Sequence, residues 1–116
     1  MATSLKEMGQ VKAGTGNTAI YTAGAGITGI VNEIWITNTD TVARQFGLAL
    51  VRGGSGFTAF TSVETVLRNY GSTNAIAAGD TEIIHCNLII ATTGVLSCKS
   101  DAANVVVATV SGVEKS

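Results

Sequence analysis

The feature that most constrains the fold is the stretch 27–37, whose sequence is ITGIVNEIWIT. Isoleucine, valine and tryptophan supply the β-branched and aromatic residues that strands favour. The sequence AGAG precedes the stretch and NTDT follows it, so residues that form turns close it on both sides. The stretch therefore predicts a central β-strand.

Alternation along this strand predicts which side chains are buried, because successive residues point to opposite faces of a sheet. The even positions are the more apolar, and we expect them to pack on the core: Ile30, Asn32, Ile34 and Ile36. On that face Asn32 requires either a bend in the strand or a hydrogen-bonding partner. Trp35 belongs to the opposite face, where packing within the sandwich is favoured over exposure.

Short apolar stretches separated by turn residues recur roughly every 10 residues, which is typical of all-β sandwiches. Proline is absent, so glycine, asparagine and aspartate must form the turns. We predict one all-β domain over residues 17–116, a single-domain β-sandwich of jelly-roll-like or Greek-key type with seven or eight short strands. The predicted strands include 17–22, 27–37, 43–51, 95–100 and 104–113, and the range 81–90 holds either one strand or two short ones.

Residues 1–16 are predicted to form a flexible N-terminal arm that precedes the domain. Leu5, Met8 and Val11 follow helical spacing, but the glycines of this segment oppose a long helix. Such an arm either frays in solution or orders against a neighbouring subunit.

Residues 52–74 interrupt the β pattern and are predicted to form a long loop, which we call the excursion. Thr61 and Glu64 fit a capping box, which favours a short helix over 62–69, although the β-branched residues in it count against a helix. The excursion either plugs one end of the core or forms an exposed apolar contact surface. Its aromatic residues are Phe57, Phe60 and Tyr70.

The chain carries few charges. Charged residues make up 13% of the 116 residues and the net charge is −1, against about 25% charged residues in a typical soluble domain. The electrostatic field of such a chain is too weak to favour nucleic acid or an anionic membrane as a partner. We also expect neither a signal peptide nor a transmembrane segment. The surface is either rich in neutral polar residues or covered in part by other subunits, and solubility favours the second.

No catalytic, metal-binding or cofactor site is predicted, and we expect a protein that is not an enzyme. His85 is the only histidine and faces outward on the predicted strand 81–90, whereas Cys86 faces the core, so the two do not form a dyad. The acidic residues are scattered, and three aspartates occupy turns, where they are predicted to cap backbone N–H groups. These are Asp40, Asp80 and Asp101.

The two cysteines, Cys86 and Cys98, are too few for a zinc set. If strands 81–90 and 95–100 formed a hairpin, Cys86 would lie opposite Cys98 and a disulfide would be geometrically feasible. Without export the thiols are expected to stay reduced and to behave as small hydrophobic residues.

The predicted contacts with a partner come from the arm and the excursion. They are Leu5, Met8, Val11, Arg52, Phe57, Phe60, Arg68 and Tyr70. Arginine residues 44, 52 and 68 are too few for a nucleic-acid footprint, but they suit salt bridges to a partner protein.

Four short motifs resemble those of small β-sandwich virion proteins of tailed bacteriophages. They are IYTAGAG at 20–26, WITNT at 35–39, AAGDT at 77–81 and VSGVE at 110–114. In that family the first motif commonly contains YTVPAG, and here Ala23 and Gly24 replace the valine and proline.

The resemblance implies a capsid decoration (cement) protein without catalytic residues, which binds the outer head surface and bridges capsomers. The implied partners are the major capsid protein or another virion protein, together with further copies of the chain, a trimer being favoured by analogy. Such a protein would be made in the host bacterial cytoplasm and would reside on the capsid surface. The alternative is a tail, baseplate or head-fibre module for host glycan recognition, with Trp35 and Tyr70 stacking on a sugar ring.

Overall fold

The computed structural model describes residues 6–16, 18–51, 65–91 and 93–116, and for Thr65 and Val66 it describes the backbone alone. These residues form eight strands and one short 3₁₀ turn, Ser72–Asn74, and none of their helical segments is long and apolar enough to cross a membrane. The strands are β1 (Lys6–Lys12), β2 (Thr18–Thr22), β3 (Thr28–Asn38), β4 (Phe46–Val51), β5 (Thr65–Arg68), β6 (Thr81–Ile90), β7 (Val95–Ser100) and β8 (Val106–Lys115). The all-β prediction is confirmed.

The strands form two four-stranded antiparallel sheets. The first sheet has the order β1-β8-β3-β6 and the second has the order β2-β7-β4-β5. Four of the antiparallel pairs are nested in the sequence: β1 with β8, β2 with β7, β3 with β6, and β4 with β5. This is the order obtained when one long antiparallel ribbon is wrapped into a double sheet, which is the jelly roll.

The predicted central strand is β3, which pairs with β8 on one side and with β6 on the other. The ladder shifts register between Val31 and Glu33, so Asn32 is an extra residue relative to β8. An extra residue reverses the alternation of side chains. Consequently Val31 is buried, Ile30 is only half-buried and Asn32 is exposed, which corrects the predicted burial of Ile30 and Asn32. The ladder is irregular at Asn32, where the sequence predicted either a bend or a hydrogen-bonding partner.

The core lies between the two sheets. β3 supplies Val31, Ile34 and Ile36, and all three side chains are fully buried. The larger set of fully buried apolar side chains is drawn from both sheets, as expected for a sandwich. Its other members include Phe46, Leu48, Leu50, Ile90, Leu96, Val106 and Val110.

The helix predicted over 62–69 is wrong for residues 65–68, which form β5; residues 62–64 lie outside the described residues. In β5, Thr65 pairs with Leu50 and Arg68 pairs with Leu48 of β4. Two β-branched residues lower the helix propensity of this segment, and the backbone of β4 offers it a ladder of hydrogen bonds.

The segment predicted as an arm contains strand β1. Its residues pair with β8, from Lys6 opposite Gly112 to Lys12 opposite Val107. Met8 and Val11 are half-buried and pack against the core, so their spacing does not correspond to a helix.

Strands 81–90 and 95–100 do not form the hairpin that would have placed Cys86 opposite Cys98. They are β6 and β7, and β6 belongs to the first sheet whereas β7 belongs to the second. The chain crosses between the sheets at this point, as a jelly roll requires. Cys86 and Cys98 are both free thiols. Burial raises the pKa of the Cys98 thiol to about 12 and also raises the pKa of Cys86, so both thiols stay protonated at neutral pH.

Candidate functional site

The outer face of the first sheet, the face turned away from the core, carries exposed apolar side chains. Trp35 is 44% exposed, Ile83 is 40% exposed and Ile89 is 61% exposed. Trp35 and Ile83 are direct cross-strand neighbours, on β3 and β6 respectively. We call these three residues the outer apolar patch. The expectation that Trp35 packs within the sandwich is wrong, because no layer of described residues covers this face.

The indole of Trp35 is held in place by a polar neighbour. Its Nε1 donates a 3.0 Å hydrogen bond to Oε1 of Glu33, two residues earlier on the same face of β3. The other carboxylate oxygen of Glu33 lies 3.2 Å from Nδ1 of His85, which is opposite Glu33 on β6. The cluster of Trp35, Glu33 and His85 therefore joins β3 to β6 on the outer face.

A shallow depression of about 520 Å³ lies beside Trp35 on this face. Residues of β1, β3 and β8 line it, together with Thr39 just after β3, and most of them carry a hydroxyl, amide or carboxylate group. The lining residues are Gln10, Glu33, Trp35, Thr37, Thr39, Val107, Thr109 and Ser111. Gln10 Nε2 donates a 2.8 Å hydrogen bond to Oγ1 of Thr109, and the hydroxyls of Thr37 and Thr81 lie 2.9 Å apart. One aromatic face beside hydrogen-bonding groups, of which Glu33 alone carries a charge, suits an uncharged ligand or a protein surface.

A second depression of about 370 Å³ lies at the bulge of β3 and includes His85 and Cys86. As predicted, His85 points outward, with a side chain that is 73% exposed, whereas Cys86 points inward. The thiol of Cys86 lies 3.5 Å from the carbonyl oxygen of Val31. Within the described ranges, no group of three or more His, Cys, Asp or Glu side chains is placed to hold a metal ion.

The predicted contact residues are scattered over the structure. Leu5, Arg52, Phe57 and Phe60 lie outside the described residues. Met8 and Val11 are half-buried in β1. Tyr70 is half-buried near the second sheet, where Nζ of Lys99 lies 4.4 Å from the centroid of its ring. The structure therefore does not bring Tyr70 and Trp35 together on one face.

Arg68 is engaged within the chain. Its side chain is 4% exposed, and its Nε and Nη2 atoms lie 2.8 and 3.2 Å from the carboxylate of Glu82. Its Nη1 donates to the carbonyl oxygen of Phe46. Because Glu82 belongs to β6, this guanidinium ties the edge of the second sheet to the edge of the first.

Arg44 is also engaged within the chain, by the turn aspartates. Its Nη2 lies 2.7 Å from Oδ2 of Asp40 and its Nη1 lies 3.9 Å from Oδ1 of Asp101. The N–H of Thr41 and the guanidinium of Arg44 lower the pKa of Asp40. The prediction that turn aspartates accept backbone N–H bonds is confirmed for Asp40, which accepts from Thr41 at 2.7 Å, and for Asp101, which accepts from Gln45 at 3.2 Å.

The sequence interpretation missed the cluster of Trp35, Glu33 and His85. The sequence did contain a local signal for this cluster, since alternation along a strand places Glu33 and Trp35 on the same face. The missing information was the pairing of β3 with β6, which brings residues 33 and 85 together.

No family model matches the chain, and no curated protein sequence matches it. Among solved structures, the chain is similar to one in "Structure of infectious bursal disease virus Gx strain", with 13% identity and a TM-score of 0.41. It is also similar to one in "Structure of infectious bursal disease virus Gt strain", with 12% identity and a TM-score of 0.40. Each match covers 97% of this chain, which spans only 31% and 30% of the length of those chains. Similarity at this level carries no argument about function.

Proposed function

We propose that this chain is a non-enzymatic structural protein of a virus particle, specifically a capsid decoration (cement) protein of a tailed bacteriophage. It binds the outer surface of the head and stabilises the shell by bridging neighbouring capsomers. The observation that carries the proposal is the outer apolar patch, Trp35 with Ile83 and Ile89, on a chain of which only 13% is charged. The four motifs that resemble phage virion proteins lend it further support.

The patch has the properties of a docking surface. Tryptophan is enriched among the residues that dominate binding energy at protein interfaces. Burial of apolar area contributes about 25 cal/mol per Å² before the costs of association. Since Glu33 already holds the indole of Trp35, docking on this ring loses little side-chain entropy. The partner is the major capsid protein or another virion protein, and its matching surface is apolar and weakly charged.

The experiment uses phage particles that lack this chain, to which purified protein is added back. We expect saturable binding and a higher temperature of genome release from the decorated heads. Trp35→Ala should weaken binding by about tenfold or more, as expected for an interface hot spot. Val42→Ala is the matched control, because Val42 is 51% exposed and lies in the turn after β3, away from the patch.

Two results would contradict the proposal. In the first, the wild-type protein does not bind the heads. In the second, Trp35→Ala binds as tightly as Val42→Ala, which would show that another surface docks. Cryo-electron microscopy of decorated particles would then locate the chain directly.

A second candidate function is host glycan recognition by a tail, baseplate or head-fibre module, and the depression beside Trp35 favours it. The held indole offers a flat face for a sugar ring, while Glu33, Thr37 and Thr109 offer hydrogen-bonding groups for sugar hydroxyls. A glycan array probed with the wild-type protein and with Trp35→Ala tests this candidate. Binding of a glycan that is lost in the variant, without binding to heads, would favour recognition over decoration.

A further inference from the structure

The two sheets have four edge strands, and three of them carry features that discourage pairing with another chain. β1 holds Lys6 and Lys12 and a register shift between Glu7 and Gly9. β2 has 5 residues and a register shift of its own, and β5 has only 4 residues. Charge, bulges and shortness are the devices by which proteins protect sheet edges.

Of these devices, the fourth edge strand, β6, has a register shift in its ladder with β3, between His85 and Leu88, but neither shortness nor a basic residue. It has 10 residues, TEIIHCNLII, without proline, lysine or arginine. Its side chains alternate between the two faces without interruption from Thr81 to Ile89. Its one carboxylate, Glu82, is paired with Arg68. Within the part of the chain that the structure describes, β3 is its only ladder partner, so its other side presents a row of backbone groups.

We propose that β6 is an interface between two copies of this chain, which pair antiparallel about a two-fold axis at Cys86. In this register Ile83 faces Ile89 of the partner subunit, and the symmetry repeats that contact. Ile84 likewise faces Leu88 of the partner subunit, and His85 faces Asn87 of the partner subunit. From Ile83 to Ile89 the strand is thus its own complement, with apolar residues facing apolar residues and polar residues facing polar residues.

The pairing supplies the lateral neighbours that the exposed isoleucines lack. Within one chain, Ile83 has Trp35 beside it on β3, and Ile89 has Ile30 beside it. Their other flanks face the open edge of the sheet. In the dimer, Trp35, Ile83, Ile89 of the partner subunit and Ile30 of the partner subunit form one row across four strands. Cross-strand pairs of this kind stabilise sheets.

The chain that pairs with the edge of β6 is a second copy of this protein. A two-fold contact requires a self-complementary surface, and the sequence of β6 is self-complementary when it is paired about Cys86. Charge does not oppose the pairing, since each Glu82 faces Ile90 of the partner subunit. This inference does not depend on the proposed function, because it concerns the isolated chain and is tested without any particle.

The first test is the oligomeric state of the full chain by sedimentation equilibrium. We expect a monomer–dimer equilibrium. Ile89→Lys should raise the dimer dissociation constant about tenfold or more, because it places a lysine at the paired edge twice per dimer. Val42→Lys introduces the same charge at an exposed apolar position outside β6 and should dimerise like the wild type. Circular dichroism verifies that each variant is folded.

The second test maps the contact without relying on a destabilising variant. Hydrogen exchange should show β6 amides that become slower as protein concentration rises. Copper–phenanthroline should accept the two electrons released when two Cys86 thiols lose their protons and form one S–S bond. The cross-linked dimer should appear in the wild type and in Cys98→Ser but not in Cys86→Ser.

The inference is overturned by a chain that stays monomeric throughout the concentration range, or by a trimer, since a two-fold edge contact closes at two copies. A dimer that persists unchanged in Ile89→Lys, or whose β6 amides exchange as in the monomer, also overturns it. If the β6 amides are protected from hydrogen exchange in the dimer but no Cys86 cross-link forms, the register centred on Cys86 is overturned. Protection of β6 only when another protein is added would assign the edge to that protein instead.

Discussion

The phenolic oxygen of Tyr21 donates a 2.7 Å hydrogen bond to Oε2 of Glu114, and this bond joins the two sheets. Tyr21 lies on β2 in the second sheet, whereas Glu114 lies near the end of β8 in the first. The other oxygen of Glu114 lies 2.6 Å from Nζ of Lys6 on β1. Burial and the neighbouring carboxylate raise the pKa of Tyr21, so its phenol stays a donor, while Lys6 and Tyr21 lower the pKa of Glu114.

Replacing Tyr21 by phenylalanine should lower the free energy of unfolding by about 1 kcal/mol at neutral pH, because one partly buried hydrogen bond is lost. Urea denaturation measures this difference. Tyr70→Phe is the matched control, since it keeps the ring that Lys99 contacts and should change stability little.

The same contact predicts a pH dependence. Because the folded state lowers the pKa of Glu114, its contribution to stability is fully present above the ordinary glutamate pKa of about 4.3 and is lost as the pH falls through the lower folded value. The difference between the wild type and Tyr21→Phe should therefore shrink in acid. A difference that stays constant on acidification, down to the folded pKa of Glu114 and below, would show that the carboxylate is not the acceptor that matters.

Replacing Arg68 by methionine should cost about 2–3 kcal/mol of folding free energy, because the buried carbonyl of Phe46 loses its donor and Glu82 loses its cation. Glu82→Gln should cost less, because its side chain is 41% exposed and water can replace the contact. Thermal unfolding of both variants checks the order. Equal losses would mean that the ion pair, and not the bond to Phe46, dominates.

Replacing Asn38 by aspartate tests a fully buried amide. Nδ2 of Asn38 donates to the carbonyl oxygens of Val42 and Ile76, both at 2.9 Å, and of Ala77 at 3.3 Å, while its Oδ1 accepts from the N–H of Asp40. Aspartate has nearly the same shape but places a carboxylate oxygen against three acceptors. We expect a loss of about 2 kcal/mol or more at neutral pH.

That loss should become smaller in acid. The carbonyls favour the neutral acid, so the folded-state pKa of the introduced aspartate is raised above its unfolded value, and protonation restores one donor. Denaturation of Asn38→Asp and the wild type at neutral and acidic pH provides the measurement. A loss that grows on acidification would contradict the role assigned to Nδ2.

Replacing Gly112 by alanine should disrupt the ladder beside the bulge of β3. A methyl group at Gly112 would overlap the carbonyl oxygen of Ile30 and would lie 2.8 Å from the sulfur of Met8. Backbone cannot move aside cheaply, so we expect a loss of about 2 kcal/mol or more. Gly16→Ala is the control, because its added methyl group meets no described atom within 4 Å. Similar stability of the two variants would contradict the close approach of β8 to β3.

Much of the fold was predictable because its signals are local. The turn residues around 27–37 identified β3, and the alternation along 81–90 placed His85 outward and Cys86 inward, as the structure confirms. Composition and turn spacing identified an all-β sandwich. Each of these inferences uses residues within one strand or one turn, where period-two geometry alone decides the outcome.

The wrong predictions fall at residues whose conformation depends on pairing with a strand that is distant in the sequence. Residues 65–68 carry an apparent helical pattern, yet they pair with β4 as β5. Ile30 was assigned to the core, yet the ladder with β8 inserts Asn32 as an extra residue and turns Ile30 outward. In both places the hydrogen bonds of a neighbouring strand outweigh local preference.

By itself, the sequence determined where most strands lie, which faces alternate along β6, and that the chain would be poor in charge. Only the tertiary structure decided that β3 pairs with β6 and that Trp35 meets Glu33 and His85 on a face that no other described residues cover. It also decided that β6 lies at the edge of the sheet that the described residues form. The physical reason is that side-chain alternation follows from the backbone of one strand, whereas strand order, bulges and edges depend on partners far away in the sequence.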